Sequence, residues 1–229
     1  MALILNIDTS IETASVSLAS EGNEIGRSVN ASQKDHASWL HEAVKELTRR
    51  NAVDLKMLQA VAVTSGPGSY TGIRVGMASA KGLAFALSIP LITLNTLKVM
   101  AWSMGAFMKR AGKYEDAIAY CPMIDARRDE IFTAVYDHDL NELLSPGPVK
   151  LEESFFSEFL AQRKIMFFAS GSAKWKPVLN NPNAIFPDWD YAYFNLAYLA
   201  WQSYQFRSFA DLAYVEPDYL KEFHTYKKN

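Results

Sequence analysis

Two aspartates close apolar runs in positions that could serve phosphoryl chemistry. Leu3 to Ile7 is apolar and gives way to Asp8-Thr9-Ser10, and Ala117 to Ile124 is apolar and gives way to Asp125. Duplicated αβ nucleotide-binding folds place the aspartate of their phosphate loop at the end of such a strand, and an ATP-dependent phosphotransferase would use the pair across a cleft between its halves. The loop after Asp8 argues otherwise. Thr9-Ser10-Ile11-Glu12-Thr13 has no glycine to bring backbone N–H groups close to a phosphate, and Glu12 would meet it with a like charge.

The remaining candidates fail on spacing or setting. Gly66-Pro67-Gly68-Ser69-Tyr70-Thr71-Gly72 has Thr71 where the dinucleotide fingerprint needs its third glycine, and it lacks the Gly-Lys pair of a P-loop. His36 and His41 are five residues apart, which on a helix separates them by about 140°, so they cannot face one ion; the position four after His36 is Leu40. Cys121, the single cysteine, lies in the apolar run AIAYCPMI, the setting of a buried structural thiol and not of a nucleophile. The chain reads as depleted of catalytic equipment.

The elements that hold these residues follow from periodicity. Leu3–Ile7, Ala14–Ala19 and Glu24–Val29 read as an antiparallel meander; a helix after Ser32 carries Leu40, Ala43, Val44 and Leu47 on one face; Ala60–Thr64 and Pro90–Leu94 are buried strands. Between those strands a helix runs from about Ser69 to Ser88, stopped by Pro90. From Gly72 to Leu87 its only charges are Arg74 and Lys81. One stripe, Ile73, Met77, Ala80, Ala84 and Leu87, suits the chain's own sheet. A second stripe, Gly72, Gly76, Ser79, Leu83 and Ala86, asks for close approach of another backbone, since each helical glycine costs about 1 kcal/mol relative to alanine. That stripe reads either as the second buried face of a core helix between two layers of one domain or as a subunit interface, and on the interface reading Gly76→Leu is expected to abolish pairing with little loss of fold.

In the second half, Ala117–Ile124 and Ile131–Tyr136 read as strands, Pro146-Gly147-Pro148 as the end of the next short segment, Glu152–Arg163 as a helix and Ile165–Ala169 as a buried strand. Laying Ile7-Asp8 over Ile124-Asp125 repeats strand, aspartate, polar turn and strand, and Thr96 to Gly112 joins the two halves. The aromatic run YAYFNLAYLAWQSYQF reads as a packing helix, since it lacks the interleaved cations of a base-stacking surface. With 229 residues, 49% of them hydrophobic, the chain can build real cores, and its formal net charge of -2 excludes a protein that grips nucleic acid unaided. No leader-like or membrane-spanning run is present, and one cysteine suits a reducing, cytoplasmic setting.

SGPGSYTGIRVGMASAKGLA, with the opening LNIDTS and the later IDARRDEIFTAVY, resembles the TsaB (YeaZ) family of bacterial tRNA threonylcarbamoyladenosine biosynthesis proteins. EPDYLKE, Glu216 to Glu222, is similar to that family's C-terminal Pro-x-Tyr-Leu signature. The resemblance implies an α/β, two-lobed fold of the actin, Hsp70 and sugar-kinase (RNase H-like) kind, built of duplicated βββαβα units. The N-terminal lobe (1–98) would carry the interface helices, and the C-terminal lobe (99–229) would be reduced.

It further implies a subunit that is not an enzyme. Such a chain scaffolds the complex that adds threonylcarbamoyl to N6 of the adenosine beside the anticodon of ANN-decoding tRNAs. It pairs with a metal-binding catalytic paralogue of the TsaD type and a small ATPase of the TsaE type, forms a homodimer alone, and meets tRNA only through the complex. The paralogue's His-x-x-x-His metal helix matches His36 and Leu40 here, so no cofactor is expected in the isolated chain; nucleotide or metal would come through the partner. Carried over as interface positions are His36, Leu40, Val44 and Leu47 on the first helix and Tyr70, Arg74, Val75, Ala78 and Ser79 on the second. A phosphotransferase using Asp8 and Asp125, and a metallopeptidase following an old glycoprotease label of the wider family, stay open as alternatives.

Overall fold

The computed structural model describes residues 2–32, 36–113, 115–150, 152, 154–188 and 190–221. The chain divides into two compact units, Met1–Lys113 with Asp190–Pro217, and Tyr114–Trp189 with Asp218–Asn229. This differs from a division after residue 98. Thr96–Arg110 is a helix whose apolar face, with Leu97, Val99, Met100 and Met104 buried, packs on the first unit's strands, and the chain returns to that unit at Asp190.

The first unit is a five-stranded sheet. β1 (Leu3–Asp8), β2 (Ala14–Ser20) and β3 (Asn23–Asn30) form an antiparallel meander, and β4 (Ala60–Gly66) and β5 (Leu91–Asn95) add in parallel beside β1, giving the order β3-β2-β1-β4-β5. α1 (His36–Arg50) and α2 (Tyr70–Leu87) pack on the face carrying Leu5, Ile7, Val16, Val61 and Val63. α3 (Thr96–Arg110) also packs on β4 and β5. A helix near the end of the unit, Ala197–Gln205, covers Ile4, Ala60, Ala62 and Ile92, the alternate residues of the same strands. Strands sandwiched this way are apolar on both sides, and each fully buried branched side chain contributes about 1.5–3 kcal/mol.

The second unit repeats the plan. β6 (Ile118–Asp125), β7 (Glu130–Tyr136) and β8 (Glu142–Lys150) are the meander, and β9 (Lys164–Phe168) and β10 (Ala184–Ile185) add in parallel, in the order β10-β9-β6-β7-β8. The duplication suggested by Asp8 and Asp125 is therefore architectural: each aspartate ends the central strand of its own sheet. The helices are short, α4 (Ser157–Gln162) and α5 (Ser172–Trp175), preceding α6 (Ala197–Gln205) of the first unit.

Two local expectations change. The helix over 152–163 begins only at Ser157. Pro146-Gly147-Pro148 does not end its segment; it lies inside β8, with Pro148 opposite Phe132. β8 is an edge strand, where a residue lacking an N–H is tolerated because one side of the ladder is open.

α2 begins and ends as its sequence requires. Ser69 is the N-cap, its hydroxyl accepting the Gly72 N–H at 3.3 Å, and Ser88 takes the left-handed conformation (φ 54°) with its N–H on the Ala84 carbonyl. Pro90 then prevents continuation. The buried stripe is the expected one: Ile73, Met77, Ala80 and Ala84 are in the core, and Leu87 is partly buried.

Candidate functional site

Asp8 is wholly buried, and the chain itself saturates it. Its Oδ1 accepts the Ser10 N–H (3.1 Å), the Ser10 hydroxyl (2.6 Å) and the Thr64 hydroxyl from β4 (2.6 Å), while Oδ2 accepts the Tyr191 hydroxyl. A buried carboxylate without such donors would be strongly disfavoured. Tyr191 belongs to a 3₁₀ turn, Tyr191–Tyr193, that crosses back to this end of the sheet. Its ring stacks on Phe194 with 5.1 Å between centroids, and Arg27 of β3 fixes the turn by donating to the Ala192 and Phe194 carbonyls. Burial, then the Asp8 charge and the hydrogen bond to it, push the Tyr191 hydroxyl well above its usual pKa of 10.0.

The loop after Asp8 is also engaged. Thr9 Oγ1 donates to the Gly72 carbonyl at 2.7 Å, and the Ser69 N–H donates to the Ser10 carbonyl at 2.5 Å. The loop thus lies directly on the first turns of α2. A Cβ on Gly72 would overlap the Thr9 carbonyl oxygen, and one on Gly76 would overlap Thr9 Oγ1. The close approach at these two glycines is made by the chain's own Thr9, through its backbone at Gly72 and its side chain at Gly76, so Gly76 is a fold residue. Gly82 is different: nothing stands within 4 Å of a Cβ there.

Asp125 sits in the other sheet in a more open setting. Its Oδ1 accepts the Arg127 N–H (2.7 Å) and Lys174 Nζ (2.6 Å), and the lysine also donates to the Arg128 carbonyl (2.8 Å). Partial burial would raise its pKa, but Lys174 and the Arg127 N–H outweigh it and hold the carboxyl below its usual value. Cys121, on β6, is fully buried beside the Thr133 hydroxyl at 3.2 Å, and burial lifts its thiol to about 12, where no nucleophilic thiolate forms near neutrality.

His36 and His41 diverge as helix geometry requires: His36 is buried, with Nδ1 3.4 Å from the Asn30 amide, and His41 is exposed. Among the described residues no group of three or more His, Cys, Asp or Glu side chains is placed to hold a metal ion.

The nine interface positions separate into two sets. His36, Leu40, Val44 and Leu47 are buried within the first unit, Leu40, Val44 and Leu47 against Leu5, Ile7, Val16 and Met77, because α1 has one apolar stripe and its own sheet takes it. Tyr70, Arg74, Val75, Ala78 and Ser79 lie on the outer side of α2, where Tyr70, Arg74 and Ala78 are exposed and Val75 and Ser79 partly so. Arg74 Nη1 donates to the Tyr70 hydroxyl at 2.6 Å. Farther along the same face stand Gly82, Ala86 and Phe85, whose ring is 77% exposed. Phe85 carried no special signal in sequence, since an apolar residue on an apolar helix looks like core. The EPDYLKE segment is described from Glu216 to Lys221, where Lys221 Nζ pairs with Glu130; Glu222 lies outside the described residues.

The family model described as "TsaD: tRNA N6-adenosine threonylcarbamoyltransferase" matches residues 27–223. The tRNA threonylcarbamoyladenosine biosynthesis protein TsaB of Escherichia coli is 33% identical over 138 residues, covering 60% of this chain and 56% of its own length. Its Bacillus subtilis counterpart is 33% identical over 135 residues, covering 59% and 55%. The chain thus spans a little over half the length of these curated relatives. Among solved structures, a Pseudomonas aeruginosa protein with similarity to peptidase YeaZ superposes with a TM-score of 0.79 at 25% identity, over 96% of this chain and 100% of that one. YeaZ from the same organism gives 0.76 at 23% identity with the same coverage, a likeness of fold.

Proposed function

Because the chain belongs to the family of TsaD and its TsaB (YeaZ) relatives, we propose that it acts in tRNA threonylcarbamoyladenosine biosynthesis as a non-catalytic subunit that docks a partner on α2. The observation that carries this reading is the outer face of that helix. Val75, Ala78, Gly82, Phe85 and Ala86 leave a low, apolar surface with Arg74 as its charged margin, and such a face is stable in water only at a cost that a partner removes. The partner is a metal-binding catalytic paralogue of the TsaD type, joined by a small TsaE-type ATPase; alone, the chain uses the same face to form a homodimer. Substrate, nucleotide and metal chemistry belong to the partners, and tRNA is met through the assembled complex.

The saturation of Asp8 weighs against the phosphotransferase alternative, since a nucleotide metal ion would have to displace four hydrogen bonds made by the chain itself. The burial of His36, with Leu40 in place of a second ligand, weighs against a metallopeptidase. Reconstitution of threonylcarbamoyl transfer with the organism's TsaD-type and TsaE-type proteins tests the reading: transfer is expected to require this chain and to survive Asp8→Asn in it. Transfer that proceeds at full rate without the chain overturns the assignment, and so does magnesium-ATP hydrolysis by the purified chain that Asp8→Asn abolishes.

A further inference from the structure

The outer edge of β5 is only begun as a ladder. The Val61 N–H donates to the Pro90 carbonyl at 3.1 Å, so the main chain of residues 90, 92 and 94 faces β4, and that of Leu91, Thr93 and Asn95 faces outward. Leu91 finds an outer partner in one antiparallel bridge, its carbonyl accepting the Ala210 N–H at 2.9 Å. The returning chain then peels away. The Ser208 N–H turns to the Ser203 carbonyl (2.8 Å), the Phe209 N–H to the Arg207 carbonyl (3.0 Å), and Arg207 adopts φ 52°. Thr93 therefore presents an N–H and a C=O with no outer-strand partner among the described residues.

A cavity of about 460 Å³ opens beside that stretch of edge. Leu94 of β5, Lys98 and Val99 of α3, and Leu199, Ser203 and Phe206 of α6 form its walls. Lys98 is the one charged residue lining it, half-buried, with no ion-pair partner for its ammonium among the described residues. The Phe206 ring is 82% exposed at the margin. An open strand edge is a template for another strand, and natural proteins ordinarily cover or charge it. Here it adjoins a groove whose apolar side chains, Leu94, Val99, Leu199 and Phe206, alternate with the uncharged polar Asn95, Gln202, Ser203 and Ser208, and whose single cation has no ion-pair partner among the described residues.

We propose that this groove docks an extended acidic peptide segment of a partner protein, added as a strand beside Thr93, with a carboxylate side chain on Lys98 and an apolar side chain between Leu199 and Phe206. The unpaired groups lie along a strand main chain, which selects a peptide, and the lone cation selects acidic side chains. The surface is separate from the outer face of α2 and serves a different contact.

The test follows the backbone amides of the isotope-labelled full-length chain by NMR during titration with the capped peptide acetyl-Val-Glu-Val-Glu-amide. The Thr93, Asn95 and Lys98 amides are expected to shift saturably, and Thr93 amide exchange to slow. Lys98→Glu should weaken binding at least about tenfold and favour the corresponding valine-lysine peptide instead. Lys98 has no ion-pair partner among the described residues, so the substitution breaks no ion pair there, and an unchanged amide spectrum of the unliganded variant outside this groove checks its fold. The acidic peptide N-methylated at alternate residues should fail on the unmodified chain, which tests strand addition without any substitution. The proposal is overturned if the acidic peptide leaves Thr93 unperturbed, or if its binding is indifferent to N-methylation or to Lys98→Glu, as binding of a free anion or a non-specific apolar contact would be.

Discussion

The Tyr191 hydroxyl donates its hydrogen bond to the buried carboxylate of Asp8 across 183 residues of sequence. That contact turns an aspartate in the position of a phosphate-loop residue into a structural node, because its remaining acceptor sites are filled by Ser10 and Thr64. Tyr191→Phe removes one donor and leaves Asp8 underpaired, so the chain should lose about 1–3 kcal/mol of stability. A denaturant midpoint unchanged between the two proteins would show that the contact contributes nothing.

The same tyrosine makes stability depend on high pH. Its folded pKa is raised above 10.0, so the folded chain keeps it neutral while the unfolded chain ionises it near that value. The stabilisation is complete below pH 10 and is lost as pH rises beyond it. Thermal unfolding of the wild type should fall more steeply above pH 10 than that of Tyr191→Phe.

Two glycines of α2 should respond oppositely. Gly76→Leu drives a side chain into Thr9 Oγ1 and destabilises the isolated chain, contrary to the expectation from sequence that only pairing would suffer. Gly82→Gln meets open space and gains helix propensity, so at concentrations low enough for both proteins to be monomeric it should be up to about 1 kcal/mol more stable. Calorimetric melting of both variants checks the pair of signs.

Cys121 should be inert in the folded protein. With its thiol lifted to about 12 and no exposed surface, an aromatic disulfide reagent at pH 8 should label it only as fast as the second unit opens. Labelling at the rate of a free thiol would contradict the burial.

The repeated strand-aspartate units and the inner stripe of α2 were legible in sequence because both rest on periodicity, which reports what a residue needs from its surroundings. Periodicity does not report who supplies it. Gly72 and Gly76 ask for a close neighbour, and nothing local distinguishes Thr9 of the same chain from a partner. The resemblance places Leu40, Val44 and Leu47 at an interface, and in this chain their apolar stripe lies on the sheet beneath α1. Tyr191 lay within an aromatic run whose packing character was clear, but its polar tip meets a residue far away in sequence. The division after residue 98 missed the return of the chain at Asp190 for the same reason: a segment that comes back to an earlier unit has no local mark.

Pairing through the outer face of α2 is tested most directly by light scattering of the chain mixed with its TsaD-type protein during size-exclusion chromatography. The wild type should elute as a heterodimer with that protein and as a homodimer alone. Phe85→Glu and Gly82→Gln, both folded, should elute as monomers and fail to join the complex. Variants that pair as well as the wild type, or a wild type that is monomeric and indifferent to the TsaD-type protein, would contradict the account.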